Sequence, residues 1–186
     1  MADKKPKFPT SPSLIGSKVY LRPGTAEDAV NRQYWLLHSE PQAMSCYPVE
    51  LVTPSEASER FQKREKSTAE QRFAVVRKDD QTPVGEAAFF NYNPQNRSAE
   101  LGLLIDPDER KKGYGKDAMQ LLCRYLFKHR GLNKVYAQTP AFNEAAVGLL
   151  KSLGFKKDGT LRDHYFYNGE FHNGYVYSLL LFELDW

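Results

Sequence analysis

The sequence predicts an α/β (α+β) fold, a twisted sheet of six to seven strands flanked by four helices. Three observations carry that expectation. Residues 98–118, SAELGLLIDPDERKKGYGKDA, read as a strand, a basic glycine loop and a helix. Residues 72–92 hold two strand-like runs separated by a polar turn at Lys78-Asp79-Asp80. Asn168-Gly169, between DHYFY and EFHNGYVYSLLLFEL, is a two-residue hairpin signal. At 186 residues the chain suits one domain with a sizeable core.

In chain order, Met1 to Ser17 reads as a flexible tail. Lysines alternate with prolines there and little can be buried. The domain is expected over 18–186. Lys18 to Pro23 is the first strand, with Val19 and Leu21 on one face and Tyr20 and Arg22 on the other. Thr25 caps a helix to about His38, with Asp28 as the acid of a capping box. Thr53-Pro54-Ser55-Glu56 repeats the signal with proline at the first helical position, for a helix to about Thr68. The link 39–52 carries Glu40, Met44, Cys46, Tyr47 and Glu50, aromatic and acidic groups of the kind that meet a cation. An ordinary solvated loop accounts for it equally well.

Arg72 to Arg77 and Thr82 to Tyr92 are strands, with a turn at Asn91 to Asn96. They form a meander with the central strand to Ile105. Asp106-Pro107 ends that strand, because proline lacks the N–H a ladder needs. A helix follows, with Ala118, Leu121, Leu122, Tyr125 and Leu126 at helical spacing. Lys134 to Thr139 is a strand, and Asn143 caps a helix ending near Ser152. Phe155 to Leu161 and Tyr175 to Leu184 are the last strands.

Arg110, Lys111, Lys112, Gly113, Tyr114 and Gly115 form the loop between the central strand and its helix. Glycines let several N–H groups converge, the helix adds the positive end of its dipole, and three cations add charge. A pyrophosphate is the expected occupant. Gly113-x-Gly115-x-x-Ala118 also fits a dinucleotide fingerprint. That reading needs an acid at the end of the next strand to hold a ribose, where the chain has Gln138 and Thr139. Glu86 and Glu100 are carboxylates inside otherwise apolar strands, and such a group needs a partner or a job. Ordinarily both would sit on the wet face or one would pair with Arg97; a buried carboxylate instead has a raised pKa and can take a proton, with Glu100 the first candidate and Glu86 the second.

Arg110-x-x-Gly113-x-Gly115 has the form R/Q-x-x-G-x-G/A, and Asn143-Glu144-Ala145-Ala146 with Leu153-Gly154-Phe155 has the form N-x-x-A…LGF. On these two signatures the chain resembles the GNAT superfamily of N-acetyltransferases, from Val19 to Phe182. Residues 19–29 and 166–180 look most like the group holding ribosomal-protein N-terminal and spermidine acetyltransferases. The resemblance implies a mixed, mostly antiparallel sheet splayed between its central strands, with acetyl-CoA as cosubstrate. The pyrophosphate would lie on Arg110 to Gly115 with Lys116 and Asp117. The pantetheine arm would lie along Leu103, Leu104 and Ile105, with a backbone N–H near Leu103 on the thioester oxygen, and Asn143 would bond it from across the gap. Direct transfer to an amine is implied, the acceptor being a peptide N-terminus, a polyamine or an aminoglycoside-like molecule. Several relatives place a tyrosine as general acid where this chain has Leu150, so Tyr165 or Tyr167 could protonate the thiolate, or it leaves unassisted. A silent acetyl-CoA-binding module and a nicotinamide-binding protein are the alternatives.

Composition bounds the rest. Net charge is only +3, which gives no argument for a nucleic-acid partner. No apolar run approaches the ~18 residues of a membrane span, so no membrane partner and a cytoplasmic location are expected. Two cysteines and four histidines show no metal-ligand spacing. The apolar last strand could extend a sheet across a homodimer.

Overall fold

The computed structural model describes residues 14–38, 50–64 and 69–186. The strands are β1 (Val19–Pro23), β2 (Gln71–Arg77), β3 (Pro83–Asn93), β4 (Ser98–Ile105), β5 (Lys134–Pro140), β6 (Lys156–Tyr167) and β7 (Glu170–Leu180). The helices among the described residues are α1 (Ala26–Leu37), α2 (Pro54–Arg64), α3 (Tyr114–Lys128) and α4 (Glu144–Ser152). The seven strands form one sheet in the order β1-β2-β3-β4-β5-β7-β6. Every neighbouring pair is antiparallel except β4 and β5. No helix among the described residues is long and apolar enough to cross a membrane.

The pleat sorts the strands into two faces. Val19, Leu21, Phe73, Val75, Ala99, Leu101, Val135, Tyr177 and Leu179 are buried in one core with α3 and α4. Helix α3 contributes Ala118, Met119, Leu121, Leu122, Cys123, Leu126 and Phe127, all buried. Fully burying a side chain of the leucine or phenylalanine kind contributes about 1.5–3 kcal/mol, so this face organises the sheet. Cys123 is a core residue, and burial pushes its thiol well up. The opposite face carries Arg22, Arg72, Glu86, Glu100 and Tyr136. Helix α1 reaches it through Arg32, whose Nε lies 3.0 Å from Glu86 Oε1.

Local signals decide the helix starts. Thr25 and Asp28 make a reciprocal capping box on α1. Thr53 and Glu56 do the same for α2, with Glu56 Oε2 accepting from Thr53 N and Oγ1 at 2.8 Å. Asn168 (φ 52) and Gly169 (φ 84) form the expected hairpin turn.

Several boundaries differ from the sequence reading, among them the start of β7, at Glu170 instead of Tyr175. Strand β6 runs on through Tyr167, because DHYFY continues to pair with β7 after a bulge. Strand β7 stops at Leu180: Glu183 Oε2 accepts from Leu180 N at 3.0 Å, and the chain turns into a short 3₁₀ segment. The turn expected from Asn91 begins only after Asn93, so Asn91 lies within strand β3. The tail also shortens, since Leu14 is buried in the core and Lys78 Nζ bonds the Gly16 carbonyl at 3.0 Å. Of the 39–52 link, Glu40, Met44, Cys46 and Tyr47 lie outside the described residues, as does the expected helix end at 65–68. Glu50 pairs with Arg60 at 2.6 Å.

Candidate active site

Strands β4 and β5 pair only from Ser98–Lys134 to Glu100–Tyr136, and beyond that level they part. Which backbone groups face the gap follows from the register. Asp106 N donates to Val84 O at 3.0 Å. Stepping back two residues at a time along an antiparallel ladder turns the polar groups of Leu104, Gly102 and Glu100 to β3. Those of Leu101, Leu103 and Ile105 therefore face β5. The Arg97 carbonyl agrees with this alternation, accepting from Asn133 N at 2.8 Å. Leu103 thus presents its N–H toward the gap, whereas the N–H of Leu104 belongs to the ladder. Inside the sheet this is an unpaired strand edge, able to bond an extended ligand carrying amides.

The loop after β4 ends at a helix start without a side-chain cap. Gly113 is the N-cap of α3, at φ 87. Lys111 also takes positive φ, 60. The first helical bond runs from Asp117 N to Gly113 O. The N–H groups of Tyr114, Gly115 and Lys116 precede it and have no intrahelical partner. Backbone donors plus the helix dipole make an anion site. Gly115 packs flush on β4: a Cβ there would stand 3.1 Å from Leu103 Cδ2 and 3.5 Å from Ile105 Cγ1.

Side chains around the loop divide into supports and contacts. Arg110 Nε donates to the Ile105 carbonyl at 3.2 Å, and burial works against its charge. Lys112 Nζ is engaged by Glu109 at 3.0 Å, and Glu109 also receives Arg77 at 3.0 Å. Tyr114 supports the same arginine. Asp117, expected in the cofactor set, is engaged within the fold. Its N–H is in the helix ladder, and its carboxylate accepts from Ser17 N, Lys18 N and Val19 N at 3.2, 2.7 and 3.0 Å. It ties β1 to α3. Lys18 was missed by the sequence reading; its Nζ bonds the Lys112 carbonyl at 2.7 Å.

Across the gap, Asn143 Oδ1 caps α4 by accepting from Ala146 N at 3.1 Å, and among the described residues its Nδ2 has no partner, a donor available to a ligand. Leu150 is buried in the core. A further residue comes from β5 itself. Thr139, past the level where β5 leaves β4, has a buried hydroxyl with no hydrogen-bond partner among the described residues. An orphaned buried hydroxyl costs about 1–3 kcal/mol, and a ligand able to bond it would recover that. The edge of β4, the uncapped helix start and this hydroxyl fit an elongated molecule with amides and a pyrophosphate. Among the described residues no group of three His, Cys, Asp or Glu could hold a metal ion.

The three candidate catalytic residues have different surroundings. Glu100 is 8% exposed and stands opposite Tyr136 at the last β4–β5 pair. Its Oε2 accepts from Asn91 Nδ2 at 2.8 Å. Burial pushes its carboxyl above the ordinary value of 4.5, and the Asn91 bond opposes that. Glu86 lies at the Leu104 level, where its Oε1 is shared by Arg32 at 3.0 Å and Arg72 at 2.6 Å. This carboxylate is a tie between α1, β2 and β3. Tyr165 is not brought to Glu100. It pairs with His172, whereas the Glu100 row reaches β7 at Ser178. Six residues along a strand are about 20 Å. Tyr165 instead packs over Gly174 and against His164, and Tyr167 stacks on Phe142.

Comparison with known proteins places the chain in a family. A family profile described as acetyltransferase (GNAT) domain matches residues 18–156. The uncharacterized N-acetyltransferase p20 of Bacillus licheniformis is 30% identical over 173 residues, 90% of this chain and 96% of that protein. The spermidine N(1)-acetyltransferase of Vibrio cholerae is 30% identical over 118 residues, 63% of this chain and 68% of that protein. A crystal structure of spermidine N-acetyltransferase from Vibrio cholerae, in complex with CoA and spermine, aligns with a TM-score of 0.83. It has 23% identity and covers 89% of this chain and 97% of that one, a likeness of fold. The match over 18–156 and the splayed sheet lead to one conclusion: the chain belongs to the GNAT family of acetyltransferases and is an N-acetyltransferase.

Proposed function

We propose that the protein moves the acetyl group of acetyl-CoA to a primary amine by direct attack, with Glu100 as general base. The observation that carries this is the buried carboxylate of Glu100 at the level where β4 and β5 part. A primary amine is an ammonium at neutral pH and must lose a proton before it attacks. Glu100 takes that proton, directly or through a water, and its raised pKa suits the task. The Leu103 N–H receives the thioester oxygen as charge develops on it. Lys111 to Lys116 and the start of α3 bind the pyrophosphate, and Asn143 Nδ2 holds the arm from the α4 side. Arg110 braces the loop on β4. The thiolate leaves without a tyrosine from α4, since Leu150 is in the core.

The acceptor class follows less directly. Spermidine acetyltransferases are among the similar proteins, which supports a polyamine. The Leu150 departure favours a peptide N-terminus as the second reading. Thiol release from acetyl-CoA, against alanine- and serine-starting peptides, spermidine and aminoglycosides, separates them. Turnover with one class and a fall of about 10²–10⁴-fold in Glu100→Gln is the expected outcome. Full activity of that variant at every pH would remove Glu100 from the role.

A further inference from the structure

Glu100 does not stand alone. Strand β3 pairs in regular register with β4 from Gly85–Ile105 to Phe90–Glu100, then slips before Asn93–Ser98. Asn91 sits in that slip at φ 51. Asparagine tolerates this left-handed conformation better than most residues. Phe90 shares the face of Glu100, so an unbroken pleat would turn residue 91 to the opposite face. The bulge re-aims it, and its Nδ2 reaches Glu100 Oε2 at 2.8 Å. The same amide acts on the phenol of Tyr136, which lies beside Glu100 on β5. Three adjacent strands thus contribute one polar side chain each to a cluster at the parting of the sheet.

We propose that Asn91 is a positioning residue for acetyl transfer: the bulge fixes its amide on Glu100 Oε2, so that Oε1 meets the acceptor ammonium. This rests on the reading of Glu100 as the base. Among the described residues Oε1 has no hydrogen-bond partner, and Oε2 is the occupied oxygen. An amide suits this job better than a cation. It fixes the carboxylate rotamer without holding the charge as firmly as a guanidinium. The chain supplies the contrast itself, since Glu86 is met by two arginines. The groups facing Glu100 are Asn91 from β3 and Tyr136 from β5. The nearest charges are turned to one another: Glu86 lies at the Leu104 level, four residues further along β4, and takes up Arg32 of α1 and Arg72, which stands at the Gly102 level and also meets Glu70. Burial raises the Glu100 pKa and Asn91 alone is seen to lower it, which makes the bond measurable through the pH profile.

The test uses the full chain and the fastest amine among spermidine, the alanine- and serine-starting peptides and the aminoglycosides. Glu100→Gln, Asn91→Gly and Asn91→Asp are compared in kcat, KM and the acid limb of kcat/KM. Glycine takes positive φ without strain, so Asn91→Gly removes the amide and keeps the bulge. Its kcat is expected to fall by about ten- to a hundredfold, the scale of a misplaced catalytic group. The KM for acetyl-CoA should stay unchanged and the acid limb should move to higher pH. Asn91→Asp sets two carboxylates together and should move that limb further up. If Glu100→Gln is slow while Asn91→Gly matches wild type in kcat and acid limb, the positioning role falls and the base reading stands. If Glu100→Gln is as fast as wild type, or no amine turns over, the base reading falls and takes this one with it.

Discussion

Glu100 shows what a single residue costs the fold it serves. Its pKa in the folded protein is raised by burial above 4.5, so the folded state resists losing that proton. The stability it contributes is fully present below pH 4.5 and declines as pH rises through the folded value. Glu100→Gln should therefore be more stable than wild type at neutral pH. The two should converge below about pH 4.5, where both side chains are neutral in folded and unfolded chains alike. Urea titrations at several pH values would show the gap opening, and a gap that stayed constant with pH would contradict it. The carboxylate itself was legible as an acid among apolar strand residues. Its partners were not, because Asn91 and Tyr136 come from two other strands and meet it only through register. Arg22 was hidden for the same reason: nothing local says that a strand arginine is buried, and its fork is filled by Asp28, at 2.5 and 2.9 Å.

Among the elements, the start of α3 carries the cofactor reading. Gly115 is small because the helix rests on Leu103 and Ile105, so a β-branched side chain there must push the helix start off β4. Gly115→Val should keep its circular dichroism spectrum while losing acetyl-CoA affinity by about a hundredfold, or 2.7 kcal/mol. Unchanged affinity in a calorimetric titration would sink the anion-site assignment. Elements governed by neighbours in sequence were the legible ones. The Thr25–Asp28 and Thr53–Glu56 boxes, the Asn168-Gly169 turn and the Asn143 cap each depend on residues at most three apart. Asp117 shows where such local reading stops. Beside the glycine loop it reads as part of the ligand site, yet its carboxylate fastens β1 from a hundred positions earlier in the chain.

For the whole molecule, the decisive feature is how little joins the two sides of the sheet. Strands β1 to β4 pair extensively, as do β5, β7 and β6, but three residue pairs connect the groups. A ligand that bonds Leu103 on one side and Asn143 on the other would span the remainder. Acetyl-CoA at a hundred times its dissociation constant should raise the unfolding free energy by about 2.7 kcal/mol. It should also slow amide hydrogen exchange in the segments flanking the gap, 101–105 and 137–140. Slowing confined to 110–116 would show that the pantetheine arm does not bridge the strands. The sheet then behaves as a book with a short spine. Its two leaves are held open by the loss of pairing, and a thioester slipped between them serves as the missing pages. Cofactor occupancy in such an enzyme is a mechanical state of the entire molecule, which an amine arriving on the opposite face would meet as a stiffer wall.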